Sequence, residues 1–158
     1  MASVIVRPAF VHDIPQLLEL MRGLASFEGY LDRFAVTEAD LFERGFSNER
    51  EPQFHVFVAA DAAETLCGYA LTYFIPFTFD LRPTMVLKEF FVLAGQRGSG
   101  VGRKLYSAVL DYGRAHGVRL LRWQVLPTNE DAMRFYCSFG GKLDAGWDNW
   151  VLEISGDQ

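Results

Sequence analysis

The apolar positions near the start of the chain change from an alternating to a helical period. Residues 4–7 alternate apolar and polar side chains, which predicts a first strand. Apolar residues then recur at helical spacing from Ile14 to Ala25, and Asp13 stands where an N-cap is expected. The run Thr37–Asp40 has the pattern of a capping box and predicts a short second helix that ends near Phe46.

The middle of the chain predicts a meander of strands followed by a helix. Three segments are rich in Val, Phe, Tyr and Leu and predict strands: residues 54–60, 66–75 and 85–93. A glycine-dense turn covers residues 95–102. An apolar stripe of helical period then begins at Val101, and Gly117 is placed to end that helix.

The remaining segments complete the predicted order of elements. Residues 120–125 predict a fifth strand, residues 132–139 a helix and residues 147–154 a last strand. The order is then β-α-α-β-β-β-α-β-α-β. It is typical of a single mixed α/β domain over residues 1–158, with an antiparallel front half and a βαβ element behind.

Composition restricts the kind of protein that the chain can be. Half of its 158 residues are hydrophobic and 15% are aromatic, which excludes a disordered chain. No apolar run approaches the ~18 residues that cross a bilayer, and the first residues lack the apolar core of a secretory signal. Cys67 and Cys137 lack the spacing of a disulfide framework or a metal site, and the three histidines are scattered. We therefore expect a cytoplasmic protein with no metal and no membrane partner.

Charge is distributed unevenly along the chain. Residues 28–51 contain seven acids and three arginines, whereas residues 97–122 contain six basic residues and one acid. This pattern has two interpretations: two solvated helix faces, or a cation-attracting end and an anion-binding end of one domain. The net charge of −5 argues against a protein that coats nucleic acid.

The glycine-dense turn is the strongest candidate for a binding site. A predicted strand enters the segment Arg97–Gly102 and a predicted helix leaves it. The first turn of a helix leaves backbone N–H groups unpaired, and such a terminus binds phosphate. The glycine spacing matches neither the dinucleotide fingerprint nor the Walker loop. A glycine turn without a ligand is the alternative.

Two motifs together resemble those of a known family. The pattern Arg97-x-x-Gly100-x-Gly102, after a strand that contains residues 89–92, resembles the coenzyme A loop of the GNAT superfamily of N-acetyltransferases. A second motif, which runs from Trp123 to Gly140, resembles that superfamily's downstream signature. Shorter matches resemble the diamine acetyltransferase branch, whose members acetylate polyamines, thialysine and related small amines. They lie at residues 24–28, 37–41, 82–83 and 123–126.

The resemblance implies a central, mostly antiparallel sheet with helices on both faces. It also implies that acetyl-CoA is the cosubstrate. Its pyrophosphate would lie on the N–H groups of residues 98–102, and its pantetheine arm would pair with the backbone of residues 91–93. Asn129 would hold the end of that arm, or cap the following helix, or do both. The residues expected to bind the cofactor are Phe91, Val92, Leu93, Arg97, Gly98, Ser99, Gly100, Val101, Gly102, Arg103, Lys104, Asn129 and Tyr136.

The resemblance also implies catalytic roles for Tyr136 and Glu89. Tyr136 would protonate the departing thiolate, and backbone N–H groups near Val92 would stabilise the oxyanion. Its position on an apolar helix stripe is equally typical of a core tyrosine. Glu89 would bind the cationic end of the substrate or help to deprotonate the amine through water.

The sequence departs from the branch at the residue before Glu89. The branch usually carries two adjacent carboxylates, whereas this chain has Lys88-Glu89. Neighbours on a regular strand face opposite sides, so Glu89 does not simply replace the missing acid. A lysine at position 88 would repel a polyamine, unless it is an ordinary solvent-exposed strand residue.

The resemblance implies an enzyme that transfers acetyl directly to the primary amine of a small molecule and that forms a homodimer. Two alternatives stay open: a module that binds coenzyme A or a nucleotide without turnover, and a protein or peptide N-acetyltransferase. The residues expected to bind the acceptor are Glu28, Asp32, Arg82, Glu89 and Trp150.

Overall fold

The structure is a computed structural model that describes residues 3–155. Its strands are β1 Ile5–Pro8, β2 His55–Ala60, β3 Leu66–Ile75, β4 Thr84–Val92 and β5 Leu120–Arg122. Its α-helices are α1 Ile14–Glu28, α2 Glu38–Leu41, α3 Val101–Ala115 and α4 Glu130–Cys137. Short 3₁₀ turns cover Val11–Asp13, Leu31–Arg33 and Ala94–Gln96, and a single π-helical turn covers Phe42–Phe46. The predicted second helix is therefore α2 with its π-helical continuation.

The chain forms two compact parts, the first extending to Gln124 and the second beginning at Val125. The first part contains the whole sheet with α1, α2 and α3, and the second contains α4. The single domain that the sequence predicts over residues 1–158 stays a prediction.

The sheet has five strands in the order β1-β2-β3-β4-β5. The first four pair antiparallel, while β5 runs parallel to β4 through three residue pairs, from Thr84↔Leu120 to Val86↔Arg122. This arrangement confirms the predicted mixed and mostly antiparallel sheet.

Helices cover both faces of the sheet, as predicted. The ring of Phe90 on β4 lies 6.3 Å from that of Tyr106 on α3. The next residue, Phe91, joins the buried cluster formed with α1, which includes Leu17 and Leu24. Because successive side chains of a strand point to opposite faces, α1 and α3 pack on opposite sides of β4.

A β-bulge interrupts β4 at Lys88. The consecutive pairs between β3 and β4 are Leu71↔Glu89 and Thr72↔Leu87, so Lys88 is an extra residue without a partner in this register. The bulge places Leu87 and Glu89 on opposite faces, although they are two residues apart. The simple alternation expected from the sequence at this position is therefore wrong.

The predicted last strand is also wrong. Residues 147–154 belong to no strand in the described part of the chain, and the predicted strand at 120–125 is shortened to Leu120–Arg122. The apolar side chains of the 147–154 segment are largely exposed: Trp147, Trp150, Val151, Leu152 and Ile154. An alternating pattern produces a strand only where a second strand offers hydrogen bonds, and within residues 3–155 none pairs with this segment.

A buried ion pair joins β1 to the start of α1. Asp13 precedes α1 as predicted, but its carboxylate accepts hydrogen bonds from the Arg7 guanidinium (2.7 Å) and the Phe10 N–H (2.7 Å). Arg7 also donates to Glu64 at 2.6 Å. The side chains of His12, Asp13 and Glu64 lie close enough together to resemble a metal-binding group. Arg7 bonds to both of those acids, so an ion pair accounts for their proximity.

Candidate active site

Only part of the β4 edge that faces β5 is paired with that strand. The pairs between β4 and β5 end at Val86, and within residues 3–155 no strand continues them along residues 87–92. The N–H of Leu93 donates to the Cys67 carbonyl on the β3 side, at 2.9 Å. Backbone N–H directions alternate along a strand, so the N–H of Val92 points toward the open edge. An extended ligand can pair with this backbone as an added strand does.

The loop between β4 and α3 adopts backbone conformations that favour glycine. Gly98 and Gly100 have φ values of 77° and 89°, and Gly100 is the N-cap of α3. The first bond of the helix runs from the Lys104 N–H to the Gly100 carbonyl at 3.1 Å. The N–H groups of Val101 to Arg103 therefore precede the hydrogen-bond ladder of α3 and suit an anion, as the sequence predicts.

Arg97 joins this loop to the end of β4. Its Nε donates to the Val92 carbonyl at 2.9 Å, and its guanidinium lies 5.2 Å from the centre of the Phe27 ring and 5.8 Å from that of Phe91. Arg97 thus positions the loop in this structure, and direct binding of a phosphate by Arg97 stays a prediction.

The two basic residues of the first α3 turn lie beside β1. The Lys104 ammonium donates to the Val4 carbonyl at 3.1 Å, and both Arg103 and Lys104 border a depression beside β1. Ser99 donates its hydroxyl to the Gln96 carbonyl. Binding of the cofactor by these three side chains stays a prediction.

Glu89 is held by a tyrosine on the neighbouring strand. The hydroxyl of Tyr69 on β3 donates to Oε1 of Glu89 at 3.1 Å, and Tyr69 is fully buried. Burial raises the pKa of Glu89 because the charged carboxylate loses water, while the bond from Tyr69 and the charge of Lys88 oppose that rise. Tyr69 was missed at the sequence level. The predicted β3–β4 hairpin placed it one strand away, but its register with Glu89 was unknown.

Glu28 and Tyr30 lie within electrostatic reach of Glu89. Burial, followed by the charges of Glu89 and Glu28, raises the pKa of the Tyr30 phenol. Glu28 also contributes to the raised pKa of Glu89. The charges of Glu28 and Glu89, two of the predicted acceptor residues, therefore act on each other near the C-terminal end of α1. This acidic cluster suits a cationic group.

The other predicted acceptor residues lie elsewhere. Asp32 is exposed on the 3₁₀ turn after α1. Arg82 lies in the loop before β4 and donates from Nε to the Gly117 carbonyl at 3.4 Å. Glu89 lies on the order of 15 Å further along β4, by the usual rise of a strand. Trp150, in the second part of the chain, is 93% exposed. Roles for these three residues stay predictions.

The second part of the chain carries Asn129 and Tyr136 on α4. The Oδ1 of Asn129 accepts a hydrogen bond from the Ala132 N–H at 3.1 Å, so its predicted role as an N-cap is confirmed. Tyr136 is buried, and its ring lies 5.3 Å from that of Phe135 in an edge-on arrangement. Burial of the ring agrees with the apolar stripe and leaves its catalytic role as a prediction.

Comparison with solved structures defines the class of fold. An integron cassette protein from the mobile metagenome of V. cholerae has a TM-score of 0.79 at 23% identity, over 99% of this chain and 96% of that chain. An aminoglycoside acetyltransferase, meta-AAC0020, from an uncultured soil metagenomic sample has a TM-score of 0.79 at 17% identity, over 96% of this chain and 97% of that chain. The chain thus has the fold of these proteins, one of which is an acetyltransferase.

The family follows from the sequence match. Residues 16–140 match the model of the Acetyltransferase (GNAT) family, so the chain belongs to this family and is an N-acetyltransferase. The thialysine N-epsilon-acetyltransferase of Sus scrofa is 31% identical, over 97% of this chain and 94% of that protein. The spermidine/spermine N(1)-acetyltransferase-like protein 1 of Homo sapiens is 26% identical, over 93% of this chain and 22% of that protein. The predicted family and branch are confirmed.

None of the helices within residues 3–155 is both long enough and apolar enough to cross a membrane.

Proposed function

We propose that this N-acetyltransferase uses acetyl-CoA to acetylate the primary amine of a small molecule of the diamine, polyamine or lysine-analogue class. The observation that carries the proposal is Glu89, a half-buried carboxylate on the strand whose backbone edge is open, with the charge of Glu28 acting on it. A cationic amine and an extended pantetheine arm are the two ligands that this combination suits.

The cofactor's extended arm is assigned to the open edge of β4, along Phe91 to Leu93. Its pyrophosphate is assigned to the N-terminus of α3, where Gly98 to Gly102 present backbone N–H groups. The cap on α4 uses Oδ1 of Asn129, so we assign its amide NH₂ to the end of the arm.

Glu89 is assigned as the general base. It accepts the proton that the acceptor ammonium must lose, either directly or through one water. Its raised pKa makes it a stronger base than an exposed carboxylate. The freed nitrogen then attacks the thioester carbonyl. The Val92 N–H stabilises the oxyanion while the C–N bond forms and the C–S bond breaks. Tyr136 gives its phenolic proton to the departing thiolate. The second proton that the nitrogen loses as the amide forms goes to solvent, from which Tyr136 is reprotonated.

The positive charge of Lys88 favours a lysine analogue over a polyamine as the acceptor. The Lys88 side chain is exposed beside Glu89 and adds a positive charge next to the acidic cluster of Glu28 and Glu89. A polyamine carries only positive charges, whereas a lysine analogue such as thialysine also carries a carboxylate that Lys88 can attract. Lys88 and the thialysine acetyltransferase relatives both support the lysine-analogue class.

The test is an acceptor screen that follows the release of the coenzyme A thiol. The panel contains thialysine, lysine, two diamines, spermidine and a lysine-containing peptide. We expect turnover with a small amine, and turnover with thialysine above that with spermidine. Acetyl-CoA binding without turnover of any acceptor would instead support a non-catalytic binding module. Turnover with the peptide alone would support a protein N-acetyltransferase.

We further propose a homodimer in the cytoplasm. The exposed apolar side chains of the 147–154 segment are of the kind that a second copy buries in a symmetric interface. Both cysteines are free thiols, which suits a reducing compartment.

A further inference from the structure

We propose that Tyr69 is a positioning residue that holds Oε1 of Glu89 and leaves Oε2 to face the acceptor amine. This inference rests on the proposed function, because it assigns a purpose to one contact of Glu89. Tyr69 lies on β3, outside the loop and helix motifs through which the family was recognised. Its role in the reaction is indirect and acts through Glu89.

The sheet register makes the contact between these side chains specific. Tyr69 lies opposite Phe91, and Glu89 lies opposite Leu71, so Tyr69 and Glu89 are diagonal neighbours on one face. Such a diagonal is within reach of a long aromatic side chain. The bulge at Lys88 turns Leu87 to the other face, so the Glu89 side of β4 is not filled by that aliphatic chain.

A buried phenol and a half-buried carboxylate constrain each other. Tyr69 is fully buried, so its hydroxyl needs a partner, and the bond to Oε1 at 3.1 Å supplies it. A carboxylate that is bonded through one oxygen has a defined rotation, and its second oxygen is directed away from the donor. A catalytic base needs this fixed orientation, because proton transfer depends on a short and aligned contact.

Four groups lie around Glu89: Tyr69 on β3, Lys88 on β4, Glu28 on α1 and Tyr30 just after α1. Burial and Glu28 favour the neutral acid, whereas Tyr69 and Lys88 favour the carboxylate. The charge of Glu89 is also one of the groups that raise the pKa of the Tyr30 phenol. Removal of the Tyr69 hydroxyl therefore removes a donor that stabilises the charged base.

The first experiment replaces Tyr69 by Phe and follows the Glu89 carboxyl by ¹³C NMR in unliganded protein labelled at glutamate. Loss of a hydrogen bond to a charged group is expected to raise the pKa of Glu89 by about one pH unit. The acid limb of the pH profile of kcat/KM is expected to move to higher pH by the same amount. Tyr73→Phe is the matched control, since Tyr73 lies on the same strand but pairs with Val86, and it is expected to change neither quantity.

A near-isosteric change tests the same contact without loss of the ring or its hydroxyl. Replacement of Tyr69 by 3,5-difluorotyrosine makes the phenol a stronger hydrogen-bond donor. The pKa of Glu89 is therefore expected to fall, and the acid limb of the kcat/KM profile is expected to move to lower pH. Opposite shifts in the two Tyr69 variants, both folded by circular dichroism, would support the positioning role. A Glu89 pKa that neither variant changes would overturn it.

Failure of this inference is distinguishable from failure of the proposed function. The NMR titration needs no substrate, so it tests the Tyr69–Glu89 pair even if every acceptor amine proves inert. Normal turnover in Glu89→Gln would contradict Glu89 as the base and thus that step of the proposed function. A strong loss of turnover in Glu89→Gln, together with an unmoved pH profile in both Tyr69 variants, would contradict only the role of Tyr69.

Discussion

Arg97 donates a hydrogen bond from Nε to the main-chain carbonyl of Val92 at 2.9 Å, and so joins the glycine loop to the last residue of β4. The open strand edge and the N-terminus of α3 lie on either side of this bond. These are the two surfaces to which the pantetheine arm and the pyrophosphate of acetyl-CoA are assigned. Arg97 therefore fixes the spacing between the two halves of the proposed cofactor site.

Removal of Arg97 is expected to weaken acetyl-CoA binding more than it slows chemistry. For Arg97→Ala we expect the acetyl-CoA Kd, measured by calorimetry, to rise about 2- to 10-fold, the usual effect of one hydrogen bond. At saturating acetyl-CoA, kcat should stay close to that of the parent. Arg97→Lys separates the role of the positive charge from that of the hydrogen bond to the Val92 carbonyl. Lysine restores the charge but not the guanidinium contact. Full recovery in Arg97→Lys would indicate a simple charge effect, and Arg22→Ala on exposed Arg22 is the control.

A negative charge in the glycine loop is expected to abolish stabilisation by the cofactor. Acetyl-CoA at about 100 times its Kd should raise the Tm of the parent by roughly 5–10 °C, since it binds only the folded protein. Gly100→Asp should remove most of this rise by repelling phosphate. Gly100 has a φ of 89°, so Gly100→Ala is the control that adds the backbone strain without the charge. A full rise in Gly100→Asp would contradict the assignment of the pyrophosphate to this loop.

Loss of the Tyr136 hydroxyl is expected to reduce turnover without loss of cofactor affinity. Tyr136→Phe keeps the buried ring on α4 and removes the proposed proton donor. We expect kcat to fall by ~10²–10⁴, the usual contribution of general acid–base catalysis, with little change in the acetyl-CoA Kd. Tyr112→Phe, a half-buried tyrosine on α3, is the control. Normal kcat with a lowered Tm would identify Tyr136 as a structural core residue instead.

The ion pair between Arg7 and Asp13 is expected to make the fold sensitive to acid. Burial alone would raise the pKa of Asp13, but the bonds from Arg7 and from the Phe10 N–H outweigh it and hold that pKa below its ordinary value. The stabilisation is therefore complete above about pH 4, the ordinary range of an aspartate in the unfolded chain, and is lost as the pH falls through the lower folded value.

Asp13→Asn tests this expectation in urea unfolding at pH 7 and at pH 3. We expect a loss of about 3 kcal/mol at pH 7, because Arg7 loses its buried partner and keeps only the exposed Glu64. The difference between the parent and the variant should become smaller at pH 3. Asp111→Asn, in an exposed pair with Arg114, should cost less than about 0.5 kcal/mol at either pH. A difference that is independent of pH would contradict the electrostatic role of Asp13.

The exposed end of the chain is expected to mediate the dimer. Light scattering at micromolar concentration should give about twice the chain mass of 17.9 kDa. The double substitution Trp150→Ser and Val151→Ser should shift the protein toward the monomer, because these side chains are 93% and 97% exposed in the single chain. Phe77→Ser, at another exposed aromatic side chain, is the control. A monomeric parent would contradict the proposed assembly.

Elements with a strong local pattern could be predicted from the sequence. The apolar stripes identified α1 and α3, and the β-rich segments identified the three-stranded meander to within two residues at each end. The glycine loop could be located because its glycines are close together in the chain, between a predicted strand and a predicted helix. In the structure, Gly98 and Gly100 have the positive φ values that favour glycine. Helical period, capping and turn chemistry depend on residues close in the chain, so one sequence carries them.

What the sequence alone determined is therefore the family, the order of most elements and the loop proposed to bind phosphate. The tertiary structure decided the bulge at Lys88, the partner of Glu89 and the unpaired state of residues 147–154. Strand register and pairing depend on hydrogen bonds between segments far apart in sequence, and a shift of one residue exchanges the faces of a strand. For that reason Tyr69 and Glu89, twenty residues apart, could be recognised as a pair only in the folded sheet.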